Sequence, residues 1–287
     1  MAQEFQAPGG AKWTLAARLP VILTFEHQSG EGAPSRPGDR FNANAHGQTE
    51  YGARYGIWNI LELLDSLSVR ATFFMSGVTV EQYPESAKAA VTAGHEIAGM
   101  GYSFEKVRTA RREKERSIIQ KSKRVLSDIC GVQIEGWRCP DYRMSPHTFD
   151  LLQNEGFRWD SSMLNDDVPY YFACEGGALV EIPFTTSTAD KAYVAWPNPV
   201  RGGSPALADV WAKEFDVLYE ESIRAPRFMI LSLQTWATGR PVTLRTLKHF
   251  IERVKSMNDA CFVSCGEFAE AFAGQSVSVP EVARNVE

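Results

Sequence analysis

The chain has 287 residues, room for one large α/β domain or two small ones, and 44% of them are hydrophobic against 23% charged, the balance of a globular protein with a sizeable core. Thirty Lys and Arg against 35 Asp and Glu leave a formal charge of −5, which argues against nucleic acid or an anionic membrane as partner, since both need a basic patch. Five histidines are a thin supply for a histidine-built metal centre.

The five cysteines, Cys130, Cys139, Cys174, Cys261 and Cys265, never take CxxC spacing. Neither a disulfide framework nor a zinc knuckle is read from them, and a reducing, cytoplasmic compartment is expected. The opening MAQEFQAPGGAKW lacks the apolar core of a signal peptide. No apolar run approaches the ~18–20 residues that span a bilayer.

Residues 20–26 (PVILTFE) read as the first strand. The polar stretch 28–48 follows, with four glycines, two prolines and no periodicity; it reads as a functional loop or a lid. A helix is predicted over 54–67, where Trp58, Leu61, Leu64 and Leu67 fall at helical spacing, then a strand over 71–75 and a helix over 81–93. A strand over 96–100 precedes a charged helix over 111–130, with Ile118, Ile119, Leu126 and Ile129 inward and Gly131 as its C-cap. Its RREKER run is a solvated face. Further strands are predicted over 133–138, 157–161, 179–184, 228–234 and 261–264, and further helices over 146–154, 206–221, 243–255 and 266–272. Eight strands alternating with helices fit one parallel (β/α) barrel better than separate domains. The expectation is a single α/β domain over 1–287, its core over about 20–272 and its loop or lid over 28–48.

Chemistry in such a barrel gathers at the C-terminal ends of the strands. Those positions are Glu26 and His27, Ser76, residues 100–104, 138–143, 161–167 and 184–186, and Gln234 to Trp236.

These segments resemble the polysaccharide deacetylase superfamily, carbohydrate esterases with a distorted (β/α) barrel. TFEH at 24–27 stands where that family carries an acidic pair, GHEIAGMGYSF at 94–104 resembles its second motif, and GWRCPDY at 136–142 its third. Five further segments resemble the allantoinase-like and cyclic-imidase-like branch, which opens small cyclic ureides or imides: EYGARYGIW at 50–58, DSSMLNDDVPYY at 160–171, EIPFTTSTAD at 181–190, FDVLYEE at 215–221 and GRP at 239–241. The resemblance implies two metal-ligating histidines at the positions held here by Met100 and Phe104, and a late general-acid histidine at the position of Gln234. A thioether and a phenyl ring do not replace imidazole on a borderline divalent ion. Glutamine donates a hydrogen bond but shuttles no proton near pH 7.

Glu26, at the family's catalytic carboxylate position, is expected to activate water, or else to hold a structural arginine such as Arg138. His27 joins it in one pocket only if the strand breaks at Phe25–Glu26, because adjacent strand residues face opposite sides. His46, or His27, would assist proton transfer, and Glu50 and Arg54 would clamp an amide or carboxylate. Arg138 would orient Glu26 or bind a substrate oxygen bidentately, and Gln234 would polarise the carbonyl. Met100, Tyr102, Phe104 and Trp236 are expected to line the substrate site, the last three as its walls. Asp166 and Asp167 read as an Asx turn, His95 as a structural histidine, and His147 and His249 as helix-surface residues. Cys139 is a weak nucleophile candidate. The expected activity is hydrolysis of a non-peptide C–N bond in a small substrate, cyclic ones included, by a homo-oligomer without metal or cofactor. Three alternatives stay open: a non-catalytic ligand-binding barrel, a lyase or isomerase on the same scaffold, and a zinc-dependent deacetylase with ligands moved to Glu26, His27 and Asp166.

Overall fold

In the computed structural model the described residues are 11–31, 42–194 and 203–272. Strand β1, Leu19–His27, is buried at every position, and the alternation along it defines two environments. Leu19, Val21, Leu23 and Phe25 pack outward against a layer of helices, whereas Ile22 belongs to a separate inner cluster with Phe74, Ala98, Met100 and Trp159.

The elements follow in chain order. Helix α1 (Ala43–Tyr51) runs through a π-helical turn, Gly52–Gly56, into α2 (Ile57–Ser66). Then come β2 (Thr72–Met75), α3 (Gly77–Gln82), α4 (Pro84–Thr92), β3 (Glu96–Gly99), α5 (Arg112–Cys130), β4 (Gly136–Trp137), α6 (Thr148–Asn154), β5 (Trp159–Asp160), β6 (Tyr170–Cys174) and β7 (Gly177–Glu181). The chain ends with α7 (Lys191–Val194), α8 (Gly203–Glu221), β8 (Met229–Gln234), α9 (Thr235–Thr238), α10 (Pro241–Lys255), β9 (Ala260–Phe262) and α11 (Cys265–Phe272). The strand order is β6-β7-β5-β4-β3-β2-β1-β8, with β9 on the first residues of β1. All pairings are parallel except β6 with β7. The sheet curls into the expected (β/α) barrel without closing: among the described residues β8 has no ladder to the β6–β7 end.

Several expected elements are redrawn. The antiparallel strand β6 is new, and the strands expected over 133–138 and 157–161 shrink to two paired residues each. The helix expected over 81–93 is two helices, because Pro84 starts α4 and the preceding Tyr83 leaves the helical region at φ −130°. In the polar stretch 28–48, residues 43–48 are helical, capped by the Asn42 side chain on Ala45 N at 3.0 Å; residues 32–41 lie outside the described segments. Trp58, expected inward, is 42% exposed, since the π-helical turn rotates the face that follows it. The charged helix ends where expected, on Gly131 at φ +71°.

The π-helical turn is pressed against α9. A Cβ added to Gly56 would lie 2.1 Å from the Thr235 carbonyl oxygen, a backbone atom that no rotamer change can move. Gly56→Ala gains up to about 1 kcal/mol of helix propensity but incurs overpacking of about 1–3 kcal/mol. A net loss of about 1 kcal/mol or more is expected, read as a lower urea midpoint with unchanged slope.

Candidate active site

Strands β1 and β8 are in parallel register, with Ile22 opposite Ile230, Thr24 opposite Ser232 and Glu26 opposite Gln234. Residues two apart share a face, so three rungs enter the barrel: an apolar pair deep inside, a hydroxyl pair above it, and a carboxylate–carboxamide pair at the C-terminal mouth.

Arg138, directly after β4, fills the space beside these rungs and is 0% exposed. Its Nε donates to Ser161 O at 2.8 Å, Nη2 to Ser161 Oγ at 2.9 Å, and Nη1 to Thr24 Oγ1 at 3.0 Å and Ser232 Oγ at 3.3 Å. The guanidinium lies between two rings, 4.0 Å from the Phe74 centroid and 4.6 Å from that of Phe184. Four of its five N–H groups are thus committed to the scaffold. One N–H remains, too few for bidentate capture of a substrate oxygen, and Glu26 Oε1 lies 3.8 Å from Nη1.

Glu26 is 5% exposed. Its Oε2 accepts from Gln234 Nε2 at 2.6 Å and its Oε1 from the Tyr142 hydroxyl at 2.9 Å. Tyr142 falls within the strand-end span 138–143 and inside GWRCPDY, but the sequence reading gave it no role of its own. Its reach depends on two consecutive left-handed residues, Asp141 at φ +54° and Tyr142 at φ +55°, each strained for an L-residue. Burial first, then the Glu26 charge, push its hydroxyl well above the usual tyrosine range, so it stays a donor. Asp190 was also missed. It accepts the Gln234 backbone N–H on both oxygens, at 3.1 and 3.0 Å, and the Thr238 hydroxyl at 2.6 Å. Burial pushes its carboxyl up to about 7.

His27 does not join Glu26. The strand runs unbroken through both residues, so His27 faces the helices, where Nδ1 meets Thr235 Oγ1 at 3.2 Å and Nε2 meets Ser86 Oγ at 3.0 Å. Burial lowers its pKa to about 3. Other expected site residues are also dispersed. His46, on α1, packs where a Gly30 side chain would stand, and Glu50 accepts from the Tyr83 hydroxyl at 2.8 Å. Arg54 is exposed beside Tyr55 and Trp58 on an outer groove of about 410 Å³. Tyr102 turns outward, its hydroxyl donating to Glu81 at 2.8 Å and its ring under Lys121 Nζ at 3.3 Å. Trp236 is buried in α9. Met100, by contrast, stays in the inner apolar cluster, with Phe104, at φ +60°, half-buried against it, as Tyr142 also is. The Cys139 thiol is buried and pushed well above its usual range, chiefly by burial, which disfavours the nucleophilic thiolate. Asp166 Oδ1 accepts from the Asp167 and Val168 N–H groups at 2.8 and 3.2 Å, the Asx turn expected. His95 Nδ1 accepts from Ala71 N at 3.2 Å, a structural role as read from the sequence. A separate cavity of about 660 Å³ follows the open seam between β7 and β8, lined by Phe184, Thr188, Glu214 and Ile230 among others; Glu26 does not line it.

The sequence matches the polysaccharide deacetylase family over residues 50–159. It is 25% identical over 251 residues to the peptidoglycan deacetylase of Helicobacter pylori, covering 77% of this chain and 85% of that one. The fold superposes with a TM-score of 0.84 and 27% identity on a Mycobacterium smegmatis protein named among the polysaccharide deacetylases, over 98% of this chain and 100% of the other. The structure of PuuE allantoinase gives a TM-score of 0.83 at 26% identity, over 96% and 98% of the two chains. This chain belongs to the polysaccharide deacetylase superfamily.

Within that superfamily the motif resemblance implies metal ligands at Met100 and Phe104. Met100 is buried with its sulfur 3.9 Å from Gln28 Nε2, and Phe104 offers no donor atom. The alternative set of Glu26, His27 and Asp166 is not brought together, and no cluster of three His, Cys, Asp or Glu suited to a metal occurs among the described residues. The donors at these positions do not fit a divalent ion. No helix among the described residues is long and apolar enough to cross a membrane.

The burial of neutral His27 has a thermodynamic sign. An unfolded histidine, titrating near 6.5, binds a proton that folded His27 refuses until about pH 3. Stability is therefore complete above 6.5 and falls with decreasing pH, by up to about 1.4 kcal/mol per unit. His95, lowered to about 4 chiefly by burial, adds a contribution of the same sign. His27→Gln, which keeps a neutral partner for Thr235 and Ser86, is expected to flatten the slope of unfolding free energy between pH 6.5 and 4 by about one proton, measured by urea titration.

Proposed function

We propose that this superfamily member hydrolyses a non-peptide C–N bond without a metal, with Glu26 as both general base and general acid. The observation that carries this is the carboxylate itself: at the barrel mouth it is held by Gln234 at 2.6 Å and Tyr142 at 2.9 Å. A carboxylate offers about four acceptor sites, so two bonds hold the group while lone pairs remain for a water.

In this reading Glu26 takes a proton from water as the oxygen attacks the substrate carbonyl carbon. The resulting carboxylic acid then returns the proton to the leaving nitrogen as the C–N bond breaks, and the carboxylate is restored. Arg138 and Tyr142 fix the side chain in place. With Gln234 where a general-acid histidine would stand and His27 on the other face, one carboxyl does all the proton transfer. That favours substrates whose leaving nitrogen carries a second acyl group, because the departing anion is then delocalised. Cyclic imides and ureides meet this requirement and a simple N-acetyl amine does not. The likeness to PuuE allantoinase supports the same class, and the apolar Met100 and Phe104 suit a small ring more than a polar sugar chain.

Glu26→Gln is expected to lower turnover about 10²–10⁴-fold on a panel of cyclic imides, ureides, lactams and N-acetylated sugars, while the melting transition stays cooperative. Turnover by the wild type should survive chelation and metal analysis. Activity confined to N-acetylated sugars, or requiring stoichiometric zinc, would overturn the proposal.

A further inference from the structure

At the ends of β5 and β7 lies a second acidic pair that the proposed reaction does not use. Asp160 and Glu181 stand opposite each other in the β5–β7 ladder, both 0% exposed. Around them carboxyl oxygens accept two of the three backbone N–H groups of the turn 161–163, the third going to Trp137 O. Asp160 accepts from Ser162 N and Ser162 Oγ, each at 2.9 Å, and Glu181 Oε1 accepts from Ser162 N at 3.2 Å and Met163 N at 2.9 Å. Glu181 Oε2 has no hydrogen-bond partner, and the two carboxyls converge on one donor, because Ser162 N donates to an oxygen of each. Two buried carboxyls brought this close cannot both ionise cheaply, and one proton held between them relieves the repulsion.

The same turn carries Arg138. Ser161 O and Oγ receive its Nε and Nη2, and Ser162 Oγ receives Cys139 N at 2.8 Å, at the start of the segment that presents Tyr142. We propose that Asp160 and Glu181 are a proton-sharing positioning pair, which holds the turn 161–163 in place and thereby aims Arg138 and Tyr142 at Glu26. When the second carboxyl ionises, two adjacent anions repel inside the barrel, the turn shifts, and Arg138 loses its anchor.

Burial, followed by mutual repulsion, raises the ionisation of Glu181, and burial raises that of Asp160. The other titratable or charged groups facing the pair are Arg138, Cys139, Tyr170 on β6 and Cys265 on α11. The two thiols and the phenol are all pushed upward, each mainly by burial, so they remain neutral and Arg138 is the one cation among them. The folded protein keeps a proton that unfolded carboxyls release near pH 4.5. Its stability therefore falls as pH rises toward ionisation of the pair in the folded state.

Glu181→Gln replaces the shared proton by an amide N–H and keeps an oxygen for the Ser162 and Met163 amides. The test follows the Arg138 Nε–H by hydrogen exchange and the two carboxyl carbons by NMR in the full chain, without any substrate, so its failure is distinguishable from failure of the Glu26 reading. At pH 7 one carboxyl of the wild-type pair should be protonated. At pH 6 the Arg138 Nε–H should exchange alike in both proteins, and at pH 9 at least about tenfold faster in the wild type than in the variant. Equal exchange at both pH values, or two ionised carboxyls at pH 7, would overturn the proposal. Should Glu181→Gln fail to fold, Asp160→Asn supplies the same comparison, and the carboxyl count in the wild type decides if neither variant folds.

Discussion

The site depends on one buried cation. Removing a guanidinium from water costs on the order of several kcal/mol unless anions and acceptors surround it, and Arg138 has no exposed surface at all. The barrel therefore interrupts its apolar interior with a polar layer. Thr24 and Ser232 take positions that would otherwise suit Val or Ile, Ser161 turns its carbonyl and hydroxyl inward, and Phe74 and Phe184 sandwich the charge. Glu26 supplies the nearby anion at 3.8 Å. A carboxylate held beside a cation and two donors keeps a fixed geometry, which is the preorganisation that the proposed base requires.

Register does the rest of the positioning. Once β1 and β8 pair with Glu26 opposite Gln234, the period of two decides which side chains enter the barrel. It sends His27 to the helix layer, where a neutral imidazole joins Thr235 to Ser86. The same periodicity that delivers the carboxylate thus withdraws the histidine. Asp190 then anchors the Gln234 backbone, so the carboxamide is as firmly placed as the carboxylate it holds.

Much of this was legible in the residues. Glu26, Arg138 and Gln234 each end a strand, and strand ends in a (β/α) barrel share one mouth, so pattern alone brings them together. Asx chemistry at Asp166 and the Gly131 cap were readable because both are local. Tyr142 was not: its reach needs positive φ at two non-glycine residues, and nothing in PDY announces left-handed backbone. Glu50, Arg54 and Tyr102 misled for a related reason. The π-helical turn and the outward rotation of the loop after β3 change which face a side chain presents, and neither has a compositional signature. Strands β4 and β5 were expected longer than they are, because a ladder of two residues leaves no periodicity to mark its ends.

By itself the sequence determined the alternation of strands and helices, the absence of imidazole from Met100, Phe104 and Gln234, and the carboxylate at the end of the first strand. Those are matters of composition and local period, which one chain carries in order. Only the tertiary structure decided that Arg138 is spent on the scaffold, that His27 faces away, that Tyr142 completes the Glu26 cradle, and that Asp160 meets Glu181. Each of those is a contact between distant segments, set by strand register and backbone strain, and neither is written in any single stretch of residues.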